Sequence, residues 1–228
     1  MSEVIVCMTS WKGRIDNVMK VLDSIAENDM LPDCVEINLS QEEFPNMEAD
    51  LPDELVNYNK LPIKICWVGA NVKVFKKLIP TIMRHFNEKD LKIITIDDDV
   101  IYEKDFISKL VNASNENSDA IIANGFCHGY YMTQQCVNGA GTLYKPKFFN
   151  EFLWKGLTKQ IINTNEDDWW YSFNFWLFGV RHIRYIPTKL TFFNEVEGHQ
   201  YDTAKTQALL KGYYSWLMMN ENFNKIMY

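Results

Sequence analysis

Three aspartates in a row close an apolar run in mid-chain: Ile93-Ile94-Thr95-Ile96 leads directly into Asp97-Asp98-Asp99. Adjacent carboxylates repel one another, and a fold that gathers them bears that cost unless a cation lies between them. At a strand end they could hold Mg²⁺ or Mn²⁺, hard ions that take oxygen ligands and bind substrate phosphates at the same time. For the triplet taken alone, an exposed acidic turn is the structural alternative. A second acidic cluster, Asn165-Glu166-Asp167-Asp168, runs into Trp169-Trp170. It fits ordinary helix capping, since the helix dipole favours acids in a first turn, or a carboxylate serving as general base. His199, in Glu197-Gly198-His199-Gln200, is either a late metal ligand or a lone surface histidine.

The elements that must position these residues are legible in the periodicity. Residues 4–8 form a short apolar run that suits a buried parallel strand, and a polar loop from Thr9 to Arg14 follows. Ile15, Val18, Leu22 and Ile25 then recur at helical spacing. Strands are predicted over 34–39 and 63–68. Phe75, Leu78, Ile79 and Ile82 mark a further helix, bent at Pro80. A strand over 92–96, a helix over about 104–113 and a strand over 120–123 complete a β-α-β-β-α-β-α-β order, the pattern of a sheet flanked by helices. Ligands of such sheets bind beyond the carboxyl ends of the strands, where both the Thr9 loop and the Asp97 cluster fall.

In the second half, Asn138-Gly139-Ala140-Gly141 is a small-residue turn into a strand, and a helix is predicted over 165–178. A strand over 183–186 ends at Pro187, and from 201 onward the pattern is mostly helical. The expected organisation is one domain over 1–228, with 187–228 as a C-terminal helical extension.

Composition narrows the partners. The 228 residues are 47% hydrophobic and 23% charged, ordinary for a folded globular chain. A net charge of -7 argues against nucleic acid, though a bound divalent cation would still admit a phosphorylated ligand. Five cysteines without a CxxC pair read as buried, reduced thiols. Neither a signal-like N-terminus nor a run of roughly 18 apolar residues is present. The expected location is therefore the cytoplasm, with at most peripheral contact with the inner face of the cell membrane. The aromatic segment 213–219 is expected to pack on the protein itself, with homodimerisation next.

Taken in order, these motifs resemble the GT-A glycosyltransferases, particularly bacterial family 2-like enzymes of surface polysaccharide synthesis. Asp97-x-Asp99 after a strand looks like their DxD motif. Thr9-Ser10-Trp11-x-x-Arg14 is similar to their opening loop, and the segment from Asn71 to Pro80 with Lys76-Lys77 resembles one that precedes the DxD. The similarity spans most of residues 4–185. It implies an α/β GT-A fold with a mixed, mostly parallel central sheet. It also implies a nucleotide-sugar donor, by default a UDP-sugar, and a saccharide or lipid-linked acceptor. Thr9, Trp11 and Arg14 would line the nucleotide pocket, with Asp97 and Asp98 at the nucleotide. Asp99, with Asp97 and His199, would hold Mn²⁺ or Mg²⁺. Lys76 or Lys77 could reach a phosphate or the base, one of them being expected on a solvated helix face. By the same resemblance Asp168 would be the base of an inverting transfer, with Asp167 as second choice.

Three rivals draw on the same residues. Asp97-Asp98-Asp99-Val100 also fits the nucleophile motif of HAD-type phosphohydrolases, but that motif normally lies on the first strand. A nucleotidyltransferase is closer in fold, yet no Gly-rich loop bearing Arg or Lys follows the first strand. A non-catalytic sugar-binding protein would suit the aromatics without requiring the α/β order.

Overall fold

A computed structural model describes residues 3–124, 141–180 and 183–193, together with 208 and 212. Strand β1 (Val4–Thr9) is the sheet's organising element. Its residues alternate strictly between two cores: Val4, Val6 and Met8 enter one cluster, Ile5 and Cys7 the other. That alternation is the period of two of an extended chain, applied to a strand covered on both faces. Strands β2 (Cys34–Ser40), β3 (Ile63–Val68) and β4 (Lys92–Thr95) join it in parallel, giving the half-sheet β3-β2-β1-β4.

Beyond β4 the sheet continues through β7 (Thr142–Tyr144), β6 (Ile121–Asn124) and β8 (Ile183–Ile186). Strand β7 is antiparallel to both neighbours, while β6 and β8 pair in parallel. The seven-stranded sheet is thus mixed and mostly parallel. Two three-residue strands, β5 (Val100–Tyr102) and β9 (Leu190–Phe192), form a separate antiparallel ribbon. Neither was expected from the sequence, because three residues are too few to show a period.

Helices α1 (Val18–Ala26) and α4 (Phe106–Glu116) bury their apolar stripes in the first cluster. The single turn α2 (Asp53–Val56) adds Leu55 to it. On the opposite face lie α3 (Ile79–Arg84), the short α5 (Phe152–Lys155) and α6 (Lys159–Ile162), and α7 (Asp167–Leu177). Each fully buried Leu, Ile or Phe in these layers contributes about 1.5–3 kcal/mol.

The predicted bent helix around Pro80 is corrected. The chain forms a 3-10 turn, Lys73–Lys76, and α3 then starts afresh with Pro80 in its first turn, where no N–H is needed. The predicted helix near 104–113 is Phe106–Glu116, about two residues further on.

Strand β2 departs from the pattern of its neighbours. Val35, Ile37 and Leu39 face the apolar cluster, but Glu36, Asn38 and Ser40 on the other face are polar and buried. Glu36 accepts from Arg84 Nη2 at 2.5 Å and Thr81 Oγ1 at 2.9 Å, and lies 3.2 Å from His85 Nε2. Asn38 Nδ2 donates to Lys77 O at 3.2 Å and Thr81 Oγ1 at 3.0 Å. These bonds tie the start of α3, and with it Lys77, to the middle of the sheet.

Candidate active site

Parallel pairing brings the carboxyl ends of β1 and β4 side by side. Cys7 stands opposite Thr95, and Ile96 N donates to Cys7 O at 3.1 Å. The next residues of each chain, Thr9-Ser10 and Asp97-Asp98-Asp99, therefore leave the sheet together. Ser10 Oγ donates to Asp98 Oδ2 at 2.6 Å. Arg14 spans the triplet, with Nη2 2.8 Å from Asp98 Oδ1 and Nη1 2.7 Å from Asp99 Oδ2. A tight turn brings the guanidinium back, with Arg14 N donating to Trp11 O at 2.8 Å and Asn17 N to Arg14 O at 2.9 Å.

The three aspartates have different surroundings. Asp98 is only 2% exposed, and both of its oxygens are taken by Ser10 and Arg14, so it braces the loop. Burial pushes its carboxyl up to about 6, against the downward pull of Arg14 and Ser10. Asp99 is half-buried and is also raised, by burial first and then by the charge of Asp97. The Asp97 side chain is 30% exposed, and its backbone N–H donates to the hydroxyl of Tyr102 at 2.9 Å.

Lys77 joins this cluster to α7. Its Nζ lies 2.5 Å from Asp97 Oδ1 and 3.5 Å from Asp167 Oδ2, with the side chain only 6% exposed. Burial alone would lower the ammonium, but Asp167, Asp97 and Asp168 together hold it well above the ordinary lysine value. Asp167 is buried and its carboxyl is raised, chiefly by that burial. Asp168, the next residue in the first turn of α7, is half-buried, and its backbone carbonyl accepts from Ser172 Oγ at 2.7 Å. Helix α7 is seated through Tyr171 and Phe175, which meet Tyr144 and Phe75 in the second core.

Other expected residues lie differently. Lys76 is buried too, which corrects the expectation of a solvated lysine, and it pairs with Glu43 and with Asn71 Oδ1 at 3.1 Å. Thr9 Oγ1 donates to Asn38 O at 2.7 Å and so fastens β1 to β2. Trp11 is 39% exposed and its indole lies on Gly13, where a Cβ would come within 2.3 Å of the ring. His199 and Asn138-Gly139-Ala140 lie outside the described residues, as does the segment 213–219. Gly141 is described at φ +96.

Sequence reasoning gave no role to Ser10 or Tyr102. Ser10 was recoverable as the residue beside Thr9 at a strand end. Tyr102 reaches Asp97 from β5, a strand with no periodic signal.

The site thus gathers five carboxylates, Asp97, Asp98, Asp99, Asp167 and Asp168, around two cations, Arg14 and Lys77. The surplus of negative charge in a partly buried place fits a divalent cation. Among the described residues no group of three or more His, Cys, Asp or Glu side chains forms a ready-made ligand cage. The donor set that does fit is the pair Asp97 and Asp99, both partly exposed, because Mg²⁺-type ions bind through one or two carboxylates plus substrate phosphates. Among the described residues no helix is long and apolar enough to cross a membrane.

No protein-family model matches the sequence, and no curated protein does. Solved structures do match in fold. Residues 1-349 of S. aureus TarS in complex with UDP-GlcNAc superpose with a TM-score of 0.55 at 12% identity, over 92% of this chain and 65% of that one. A longer TarS structure gives 0.54 at 12% identity, over 97% of this chain and 40% of that one. This chain therefore spans less than two thirds of either TarS chain. A 4-diphosphocytidyl-2C-methyl-D-erythritol synthase gives 0.54 at 9% identity, over 92% of this chain and all of that one. The chain has the GT-A-like α/β fold that these enzymes share.

Proposed function

We propose that this protein is a glycosyltransferase that moves a sugar from a nucleoside-diphosphate sugar, a UDP-sugar by default, to a hydroxyl of a saccharide or lipid-linked acceptor. The observation that carries this reading is the meeting of the acidic triplet and the first turn of α7, through buried Lys77, at the carboxyl edge of a GT-A-like sheet. Mn²⁺ or Mg²⁺ would be held by Asp97 and Asp99, with His199 as a third donor. When bound, that cation would neutralise charge developing on the departing nucleoside diphosphate.

The chain's own part follows from its charges. Asp167 is buried and its neighbour Asp168 only half-buried, and this greater accessibility favours Asp168 as base. In an inverting transfer the acceptor oxygen attacks the anomeric carbon, the bond to the diphosphate breaks, and the hydroxyl proton passes to Asp168. Arg14 and Ser10 hold the triplet in shape, and Trp11, in the loop that carries them, offers an exposed ring for a nucleobase.

The fold likeness to the diphosphocytidyl synthase favours a second reading, nucleotidyl transfer. Against it, the loop after β1 carries one glycine, and its Arg14 is engaged by Asp98 and Asp99. The phosphohydrolase reading is disfavoured by position, since the triplet follows β4 and not β1. Calorimetric titration of UDP with and without Mn²⁺, on wild type and Asp99→Ala, tests the proposal. Metal-dependent UDP binding that Asp99→Ala abolishes is expected. Failure of UDP, GDP, CDP and dTDP to bind with metal present would overturn it, and preferential binding of CTP would favour the second reading.

A further inference from the structure

Lys77 stands where three separate segments meet: the loop after β4, the start of α3 and the start of α7. Its backbone is pinned on both sides, with its N–H donating to Val74 O at 3.1 Å and its carbonyl accepting from Asn38 Nδ2 at 3.2 Å. From that fixed backbone the buried side chain places its ammonium between Asp97 and Asp167. Among the described residues Asp167 Oδ2 is buried without a hydrogen-bond partner, and the positive charge that faces it is Lys77, 3.5 Å away. Tyr171, one helical turn further along α7, is also fully buried, and its hydroxyl has no hydrogen-bond partner among the described residues, so it gives Asp167 none. Asp97, in contrast, is partly exposed, its side chain keeping 30% of its surface open.

We propose that Lys77 is a positioning residue, the built-in counter-cation of this site. It locks the first turn of α7 to the acidic triplet through Asp167, and it shares Asp97 with the divalent cation that the site takes up. This deepens the glycosyltransferase reading and rests on it for the identity of the reaction. The lock has a cost: an ammonium against Asp97 weakens that residue's hold on a second cation. In return, the carboxylate at position 168 is held at a constant offset from the acidic triplet. A purely structural lysine would have no such effect on metal affinity.

The test is Mn²⁺ affinity, measured by calorimetry without nucleotide, on wild type, Lys77→Met, Asp167→Asn and the double variant. Removing one positive charge beside a cation site is expected to tighten Mn²⁺ by about tenfold or more. The Lys77→Met turnover in sugar transfer should fall at the same time by about 10–100-fold, as expected when reacting groups lose their alignment. Tighter metal with slower turnover is a pairing that general destabilisation does not produce. Should Lys77→Met fail to fold, the same comparison is made between Asp167→Asn and the double variant, which removes the charge pair as a unit. Mn²⁺ affinity unchanged within about twofold between the members of either comparison would overturn the proposal, as would no Mn²⁺ binding by any variant. UDP titration of wild type in the same series separates the two readings. Absence of nucleotide binding with the Lys77 effect intact sinks the glycosyltransferase and leaves the counter-cation.

Discussion

Replacing Arg14 with methionine should produce a stability loss that depends on pH in a calculable way. Asp98 is the reason. Its carboxyl stands at about 6, against an ordinary value of 3.8, because burial raises it more than Arg14 and Ser10 lower it. For an acid raised in the folded state, the native protein binds more protons than the unfolded chain between those two values. Stability therefore falls as pH rises through that window, and in wild type the fall ends near pH 6. Without the guanidinium the carboxyl climbs further, and the fall continues toward alkaline pH.

The ceiling is set by the protonated form, to which the variant can always retreat. At pH 8 wild-type Asp98 is ionised by about two pH units, and at about 1.4 kcal/mol per unit the loss through this residue reaches about 3 kcal/mol. At pH 5 Asp98 is protonated in both proteins and this part vanishes. Asp99 adds to the effect in the same direction but less, since its side chain is 26% exposed. Loss of the arginine stem adds an offset that does not vary with pH. Urea unfolding of wild type and Arg14→Met at pH 5, 6, 7 and 8 reads the difference directly. A gap that stays constant across that range, or widens toward pH 5, would show that the loss does not run through Asp98.

Three further outcomes are expected. Asp168→Asn should lower turnover by about 10²–10⁴-fold with UDP affinity unchanged, in steady-state kinetics beside calorimetry; an equal loss of UDP binding would remove Asp168 from the role of base. Glu36 lies buried, and although burial alone would raise its carboxyl, hydrogen bonds and charge from Arg84, with His85 and Thr81, hold it below its ordinary 4.5. Its contribution is present above that value and declines as pH falls below it, so Glu36→Gln should cost about 2–3 kcal/mol at pH 7 and less at pH 3, by thermal melts at both. Gly141→Ala should cost about 2–4 kcal/mol in the same melts, because φ is +96 there and the new methyl would come within 2.4 Å of the buried Phe106 ring.

Much of the architecture was legible because it rests on periodicity. Ile15, Val18, Leu22 and Ile25 stand on one buried stripe, and residues 63–68 form β3 with the expected bounds. The runs at 4–8 and 92–96 suited interior strands, since they are too short for a buried helix and a sheet covered on both faces buries consecutive side chains. Their abrupt change to polar residues marks where the candidate site lies.

Tertiary structure decided which charges meet. Sequence could not tell Lys76 from Lys77, two neighbours with the same side chain. The turn at Lys73–Lys76 sends one to Glu43 and Asn71 and the other between Asp97 and Asp167, 20 and 90 residues away. Nor could it rank the three aspartates: parallel register with β1 gives Asp98 to Ser10 and Arg14 and leaves Asp97 and Asp99 partly open. The physical reason is range. Hydrophobic periodicity is set by backbone geometry over a few residues, whereas a charge's partner is chosen by which chain segments the sheet order makes neighbours.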